Sequence, residues 1–177
     1  MAKQSKSAEI KEKIKNKFLA LLESDKEFAN SLPKQSVKEA VESQNLRADR
    51  MIDLILSNYA DRPALGERHY ELHKDEATGL TLAQYTQCFE TITYKEVQDR
   101  LHAMASAWRH HPVHNVSVDE FVCIIGFTST DFFILDTACV YAQAVPVPLQ
   151  SSTSGADLNE IITNTAPASI AATIVDL

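Results

Sequence analysis

Apolar positions recur at helical spacing through the first third of the chain. From Ser7 to Leu22, Ile10, Ile14 and Phe18 repeat every four residues, Leu21 and Leu22 continue the stripe, and lysines lie opposite, which predicts an amphipathic helix. Ser24 with Glu27 has the spacing of a capping box and predicts a short helix from Asp25, ended by Pro33. Ser36 with Glu39 repeats that spacing and predicts a helix through about Ser43. Arg47 to Tyr59 gives a fourth helix with Met51, Ile52, Leu54 and Ile55 as its apolar face. Residues 1–58 are therefore expected to form an all-helical region, and they carry no chemical motif.

The period changes at Asp61-Arg62-Pro63. Pro63 to Gly66 starts an extended segment, and Glu67 to Leu72 is expected to pair with a later strand. Lys74 to Thr86, polar and containing Gly79, reads as a loop or loose hairpin, and Phe89 to Ile92 as a returning strand. Thr93 with Glu96 forms a third capping box. Tyr94, Val97, Leu101, Met104, Ala105 and Trp108 then mark one face of a helix ending near Trp108, before a turn that contains Pro112.

Phe121 to Ile125 is a continuous apolar run closed by Gly126, and a helical pattern begins at Asp131. A second apolar run follows from Ala144 to Leu149. Strand, crossover helix and strand is the repeating unit of a parallel sheet, and strands apolar at every position are expected to be buried on both faces. After the polar linker Ser151–Gly155, a helix over Asp157–Thr163 and a strand over Ala168–Val175 extend the pattern. The predicted class is α/β: an incomplete parallel sheet with strands near 121–125, 145–149 and 169–175, preceded by a hairpin region and by the helices. The expected domains are 1–58, helical, and 59–177, a β-hairpin region followed by β-α-β-α-β.

Composition removes several classes. The chain has 177 residues and a formal net charge of −7, which argues against nonspecific nucleic-acid binding. Its one lysine-rich stretch, Lys3 to Lys17, is interrupted by Glu9 and Glu12 and reads as a solvated helix face. The three cysteines, Cys88, Cys123 and Cys139, have no disulfide or zinc spacing and read as reduced, buried apolar residues. Met1 is followed by lysines without an apolar core, so no secretory signal is expected, and no apolar run is long enough to span a bilayer. The expected compartment is the cytoplasm.

Candidate chemistry is sparse. Thr128, Ser129 and Thr130 lie between a strand and a helix, where backbone N–H groups could hold an anion; helix capping is the simpler reading. His110, His111 and His114 cluster around Pro112, which is expected to make their rings diverge, and His69 and His73 are expected on the surface. Asp131 and Asp136 suit a position near a helix start without a catalytic role. Trp108, Phe127, Phe132 and Phe133 could line a pocket, but core packing is the simpler expectation. No catalytic residue and no metal site is predicted.

Tyr59-Ala60-Asp61-Arg62-Pro63-Ala64-Leu65, Thr91-Ile92-Thr93-Tyr94-Lys95-Glu96-Val97 and the stretch 119–150 follow the order and spacing of adenylate-forming (AMP-binding) enzymes. With Trp108-Arg109-His110, Val122 to Ser129 and Ala144 to Gln150, the chain most resembles the amino-terminal part of the adenylation domain of carboxylic acid reductases. The resemblance implies a parent that activates a carboxylic acid as an acyl-adenylate with ATP and Mg²⁺. The acyl group would then pass to a phosphopantetheine thiol on a carrier domain, and a reductase domain would reduce it to an aldehyde with NADPH. It also implies partners: the remainder of the adenylation domain, the carrier and reductase domains, and the acid.

That family's phosphate loop is a Ser/Thr/Gly-rich turn followed by Pro-Lys, and it lies further downstream. Ser151–Gly155 imitates its composition, but Ala156-Asp157 follow. No position here matches the family's adenine segment, ribose aspartate or carboxy-terminal lysine, so the chain alone is expected to hold no cofactor and to be inactive. An acyl-CoA ligase is the neighbouring alternative, and a non-catalytic binding module the alternative from another class.

Overall fold

The computed structural model of the chain describes residues 2–43 and 45–172, with side chains described from Ser7 onward except that of Ala8. The side chains of Lys3 and Lys6, and the last residues of the strand expected over 168–175, fall outside that description. The chain divides into two compact units, Met1–Asn45 and Leu46–Leu177.

The first unit holds α1 (Ala2–Ser24), α2 (Lys26–Ser31) and α3 (Gln35–Ser43). Phe18 of α1 meets Phe28 of α2 edge to face, with ring centroids 5.7 Å apart. Two predicted capping boxes are corrected. The cap of α2 is Asp25, whose carboxylate accepts from Phe28 N at 2.9 Å, while Ser24 Oγ donates back to Ala20 O. Asp25 outcompetes the serine because it sits one residue nearer the orphan N–H groups and brings a negative charge to the helix's positive end. Ser36 lies inside α3. That helix begins with Val37 N and Lys38 N donating to Lys34 O, and Glu39 accepts from Gln35 Nε2 instead.

The second unit begins with α4 (Ala48–Asn58), so the helix expected to belong with the amino-terminal region packs here, against α5 and α6. β1 (Pro63–Glu67) pairs antiparallel with β4 (Glu90–Thr93). Between them β2 (Tyr70–Lys74) and β3 (Thr81–Tyr85) form a second hairpin, in register from Tyr70 opposite Tyr85 to Lys74 opposite Thr81. Asp75 closes its turn by accepting from Ala77 N and Thr78 Oγ1, and Gly79 supplies the positive φ of 71° that the turn requires.

α5 (Tyr94–His110) starts on the predicted capping box. The Thr93 hydroxyl accepts from Glu96 N, and the Glu96 carboxylate accepts from Thr93 N at 2.7 Å.

The core follows as β5 (Phe121–Ile125), α6 (Thr130–Ala142), β6 (Val145–Leu149), α7 (Gly155–Thr165) and β7 (Ser169–Ala172). All three strands are parallel, in the order β6-β5-β7. β5 is central, which is why Val122, Cys123 and Ile124 are completely buried. The outer strands are not buried on both faces as expected: Val145 is 39% and Ile170 is 49% exposed, because each belongs to an edge strand paired, among the described residues, with β5 alone. α5 lies along α6, and Val97, Leu101 and Trp108 meet Ile134, Ala138, Cys139 and Ala142 in one apolar cluster over the sheet. α6 ends at Gln143 in the left-handed conformation. There Arg109 reaches across from α5 to donate to Ala142 O at 2.8 Å.

Candidate functional site at the carboxyl end of the central strand

The first crossover leads from β5 outward to β6, and the second returns past β5 to β7. Under the right-handed rule for such crossovers, these opposite directions put α6 and α7 on opposite faces of the sheet. The crevice where they part, at the carboxyl ends of β5 and β6, is where open parallel sheets receive ligands. A cavity of ≈ 340 Å³ lies there, with Phe132, Pro148 and Leu149 as apolar walls and Thr128 and Gln150 as polar edges. Gly126 N, donating to Leu149 O at 3.2 Å, ties the two strand ends together at its floor.

The turn over this crevice contains Thr128, Ser129 and Thr130. Ser129 is the cap of α6: its backbone is extended, and its hydroxyl accepts from Phe132 N at 3.1 Å. Thr130 N points at a carboxylate of the chain itself, donating a short hydrogen bond to Glu67 Oε1 at the end of β1. The position an anion would take at this helix end is thus filled by Glu67. The backbone hydrogen bond from Thr130, with the threonine side chain adding to it, holds the Glu67 carboxyl below the usual carboxylate range against a small opposing desolvation. Charged groups continue around it. Arg100 lies 3.9 Å from Asp131 in the first turn of α6, and His69 Nε2 lies 2.7 Å from Glu90 Oε2. All these side chains are mostly exposed, so the pairs orient the turn more than they stabilise it.

The other sequence candidates separate. Trp108 is buried in the core and Phe132 packs against it, but Phe127 is 72% and Phe133 42% exposed, contrary to a core role. Phe127 lies in the turn between β5 and α6, outside either element, and Phe133 faces outward because α6 is apolar nearly all round and has only one side on the sheet. His111 and His114 do not diverge. Their rings stack with centroids 5.2 Å apart, because His111 Nδ1 accepts from the backbone N of both Val113 and His114 and folds the turn. Among the described residues no cluster of three or more His, Cys, Asp or Glu is arranged to hold a metal ion. Cys88 is exposed, not buried, since it lies in the connection between the two hairpins. Ser151–Gly155 does not fit a phosphate. Ser154 caps α7 and donates to Asp157 Oδ2 at 2.7 Å, so a carboxylate already stands at that helix end.

Two residues escaped sequence reasoning. Glu67 gave no local signal, because its partner is 63 positions away. Asp53 did give one, a carboxylate set between Ile52 and Leu54 on an apolar helix face. In the structure it collects hydrogen bonds from Gln98, His102 and Tyr141.

Comparison with known proteins bears on what this arrangement belongs to. Residues 70–175 match the AMP-binding enzyme family. The chain belongs to that family. Its AMP-binding relatives include the carboxylic acid reductase of Segniliparus rugosus, 40% identical over 153 residues, which is 86% of this chain and 13% of the relative. The carboxylic acid reductase of Mycobacterium tuberculosis is 35% identical over 157 residues, 89% of this chain and again 13% of the relative. The chain therefore spans about one eighth of the length of these curated relatives, and resembles the adenylation domain within them. Among solved structures, the A domain of the S. rugosus carboxylic acid reductase, in complex with AMP and a co-purified carboxylic acid, superposes with a TM-score of 0.77. It is 38% identical, with 91% of this chain and 26% of that one covered. The A-PCP didomain of the same reductase, in complex with AMP, gives a TM-score of 0.75 at 38% identity, with 89% and 22% covered. Klebsiella oxytoca NpsA, at 19% identity and a TM-score of 0.53, shares the fold.

Proposed function

We propose that the chain is the amino-terminal scaffold of a carboxylate-activating domain in a carboxylic acid reductase. Residues 59–177 would open the adenylation domain, and residues 1–58 would form the helical region that precedes it, with its last helix, α4, packed on that domain. The observation that carries this reading is the superposition of 91% of the chain, at 38% identity, on an adenylation domain that holds AMP and a carboxylic acid. In the complete protein, a carboxylate, a poor electrophile while its charge is delocalised, would be converted by ATP to an acyl-adenylate. The acyl group would pass to the phosphopantetheine thiol of a carrier domain, and the thioester would be reduced with NADPH to an aldehyde. Free cysteines, two of them buried, suit a reducing compartment such as the cytoplasm.

This chain's own contribution is positional. A carboxylate of the chain stands beside each crossover-helix start: Glu67 accepts from Thr130 N at α6, and Asp157 accepts from the Ser154 hydroxyl at α7. No step through ATP is therefore assigned to these residues. Thr128 shapes the rim of the crevice between β5 and β6, with Ser129 and Thr130 continuing its turn into α6, and that crevice is neutral, with apolar walls. It suits an uncharged part of a ligand held chiefly by residues from the rest of the domain.

The test is carboxylate-dependent ATP–pyrophosphate exchange, measured with residues 1–177 alone and with the remainder of the domain added. No exchange alone and restored exchange in the mixture is the expected result. Exchange above background by residues 1–177 alone overturns the scaffold reading. In the joined protein, acid-dependent NADPH oxidation with aldehyde formation separates a reductase from an acyl-CoA ligase.

A further inference from the structure

α4 touches α5 and α6 through an apolar contact in which Leu56 is buried and Ile52 half-buried, with its cap Tyr59 buried beside Tyr94 of α5. Beside that contact stands a polar cluster that the crevice does not use. One oxygen of Asp53, Oδ1, accepts from Gln98 Nε2 at 3.1 Å, from Tyr141 OH at 2.9 Å and from His102 Nε2 at 2.8 Å. A carboxylate is an acceptor only, so Nε2 is the protonated nitrogen of His102. Gln98 Nε2 also reaches Ser57 Oγ at 3.0 Å, and the His102 ring stands edge-on to Tyr141 with centroids 5.1 Å apart. One side chain of α4 thus gathers two donors from α5 and one from α6.

We propose that Asp53 is a releasable latch, through which α4 docks on the α5–α6 layer and opens from it as a local unit. Its members are only partly withdrawn from water: the side chains of Asp53 and His102 are 25% and 49% exposed. Opening therefore rehydrates the donors and the carboxylate, and leaves no polar group stranded. The apolar surface uncovered, chiefly that of Leu56, part of Ile52 and the Tyr59 cap, is less than what must be exposed to open β5. The directional bonds add to that apolar contact, so their loss lowers the cost of opening α4 without opening β5.

Amide hydrogen exchange on the whole chain tests this, with Asp53→Ala, Asp53→Asn and Tyr141→Phe beside the original sequence. Asp53→Ala is expected to speed exchange across 48–58 on the order of tenfold or more, while exchange across 121–125 is unchanged. Asp53→Asn, which keeps an acceptor oxygen, is expected to fall between the two. Equal acceleration in α4 and β5 would make Asp53 a general stabiliser and overturn the proposal, as would unchanged exchange in α4. If Asp53→Ala does not fold, Tyr141→Phe carries the same contrast, since it removes one donor from α6 without touching α4.

Discussion

Glu67 joins the hairpin region to the core through a single hydrogen-bond partner. Its carboxylate sits on Thr130 N at the positive end of α6, where a charge is stabilising and an amide much less so. Glu67→Gln is expected to cost about 0.5–1 kcal/mol at pH 7, read as a lower Tm. The sign with pH follows from the direction of the shift. The folded carboxyl is held below its ordinary value, so the stabilisation is complete above the unfolded value and fades as pH falls through the folded one. The Tm difference between the original protein and the Glu67→Gln variant should therefore shrink in acid, and a difference that grows as the pH is lowered would contradict this account.

The cysteines give a second residue-scale outcome. Burial, with the nearby Asp136 adding to it, pushes the Cys139 thiol up to about 12, and Cys123 is completely buried. A thiolate-selective reagent in mildly alkaline buffer is expected to label Cys88 alone in the native protein and all three residues in denaturant, counted by intact mass. The burial of Cys123 and Cys139 was legible from their apolar runs. The exposure of Cys88 was not, because it lies outside any periodic segment and depends on where the two hairpins leave their connection.

At the scale of elements, periodicity carried most of the fold. The strand–helix–strand unit over 121–149 falls where the apolar runs put it, and so does the Thr93–Glu96 capping box. Caps at Ser24 and Ser36 failed because several residues can compete for one helix start, and spacing does not rank them. Helix ends were harder still. α7 stops at Ala166, whose φ of 43° is left-handed and whose N–H bonds Ile162 O in the usual end motif. Alanine carries a steric cost there that glycine avoids, and Pro167 prevents any continuation. Ala166→Gly is expected to stabilise the chain by about 0.5–1 kcal/mol, seen as a higher midpoint in urea. An unchanged or lower midpoint would show that unfolded-state entropy outweighs the relief.

At the scale of the whole chain, the candidate site was the least legible feature, since it is assembled across long separations. Thr128–Thr130 are readable as a turn, but what fills that turn comes from β1, and the crevice walls come from β6, α6 and the turns that follow β5 and β6. The same scale exposes what the described residues leave uncovered. β6 and β7 each offer an unpaired edge beside exposed Val145 and Ile170. The β2–β3 hairpin presents Tyr70, Leu72, Leu82 and Tyr85 to solvent, each more than half exposed. A two-stranded ribbon is marginal by itself, and parallel edges with apolar neighbours recruit further strands. If the chain is a scaffold completed by the rest of an adenylation domain, residues 1–177 alone should self-associate as concentration rises and bind a hydrophobic dye. Addition of the remainder should suppress both. Sedimentation and dye fluorescence across a concentration series read this directly. A dye-silent monomer that unfolds in one cooperative step would instead favour a self-contained binding module, because it would mean that these edges and faces need no cover.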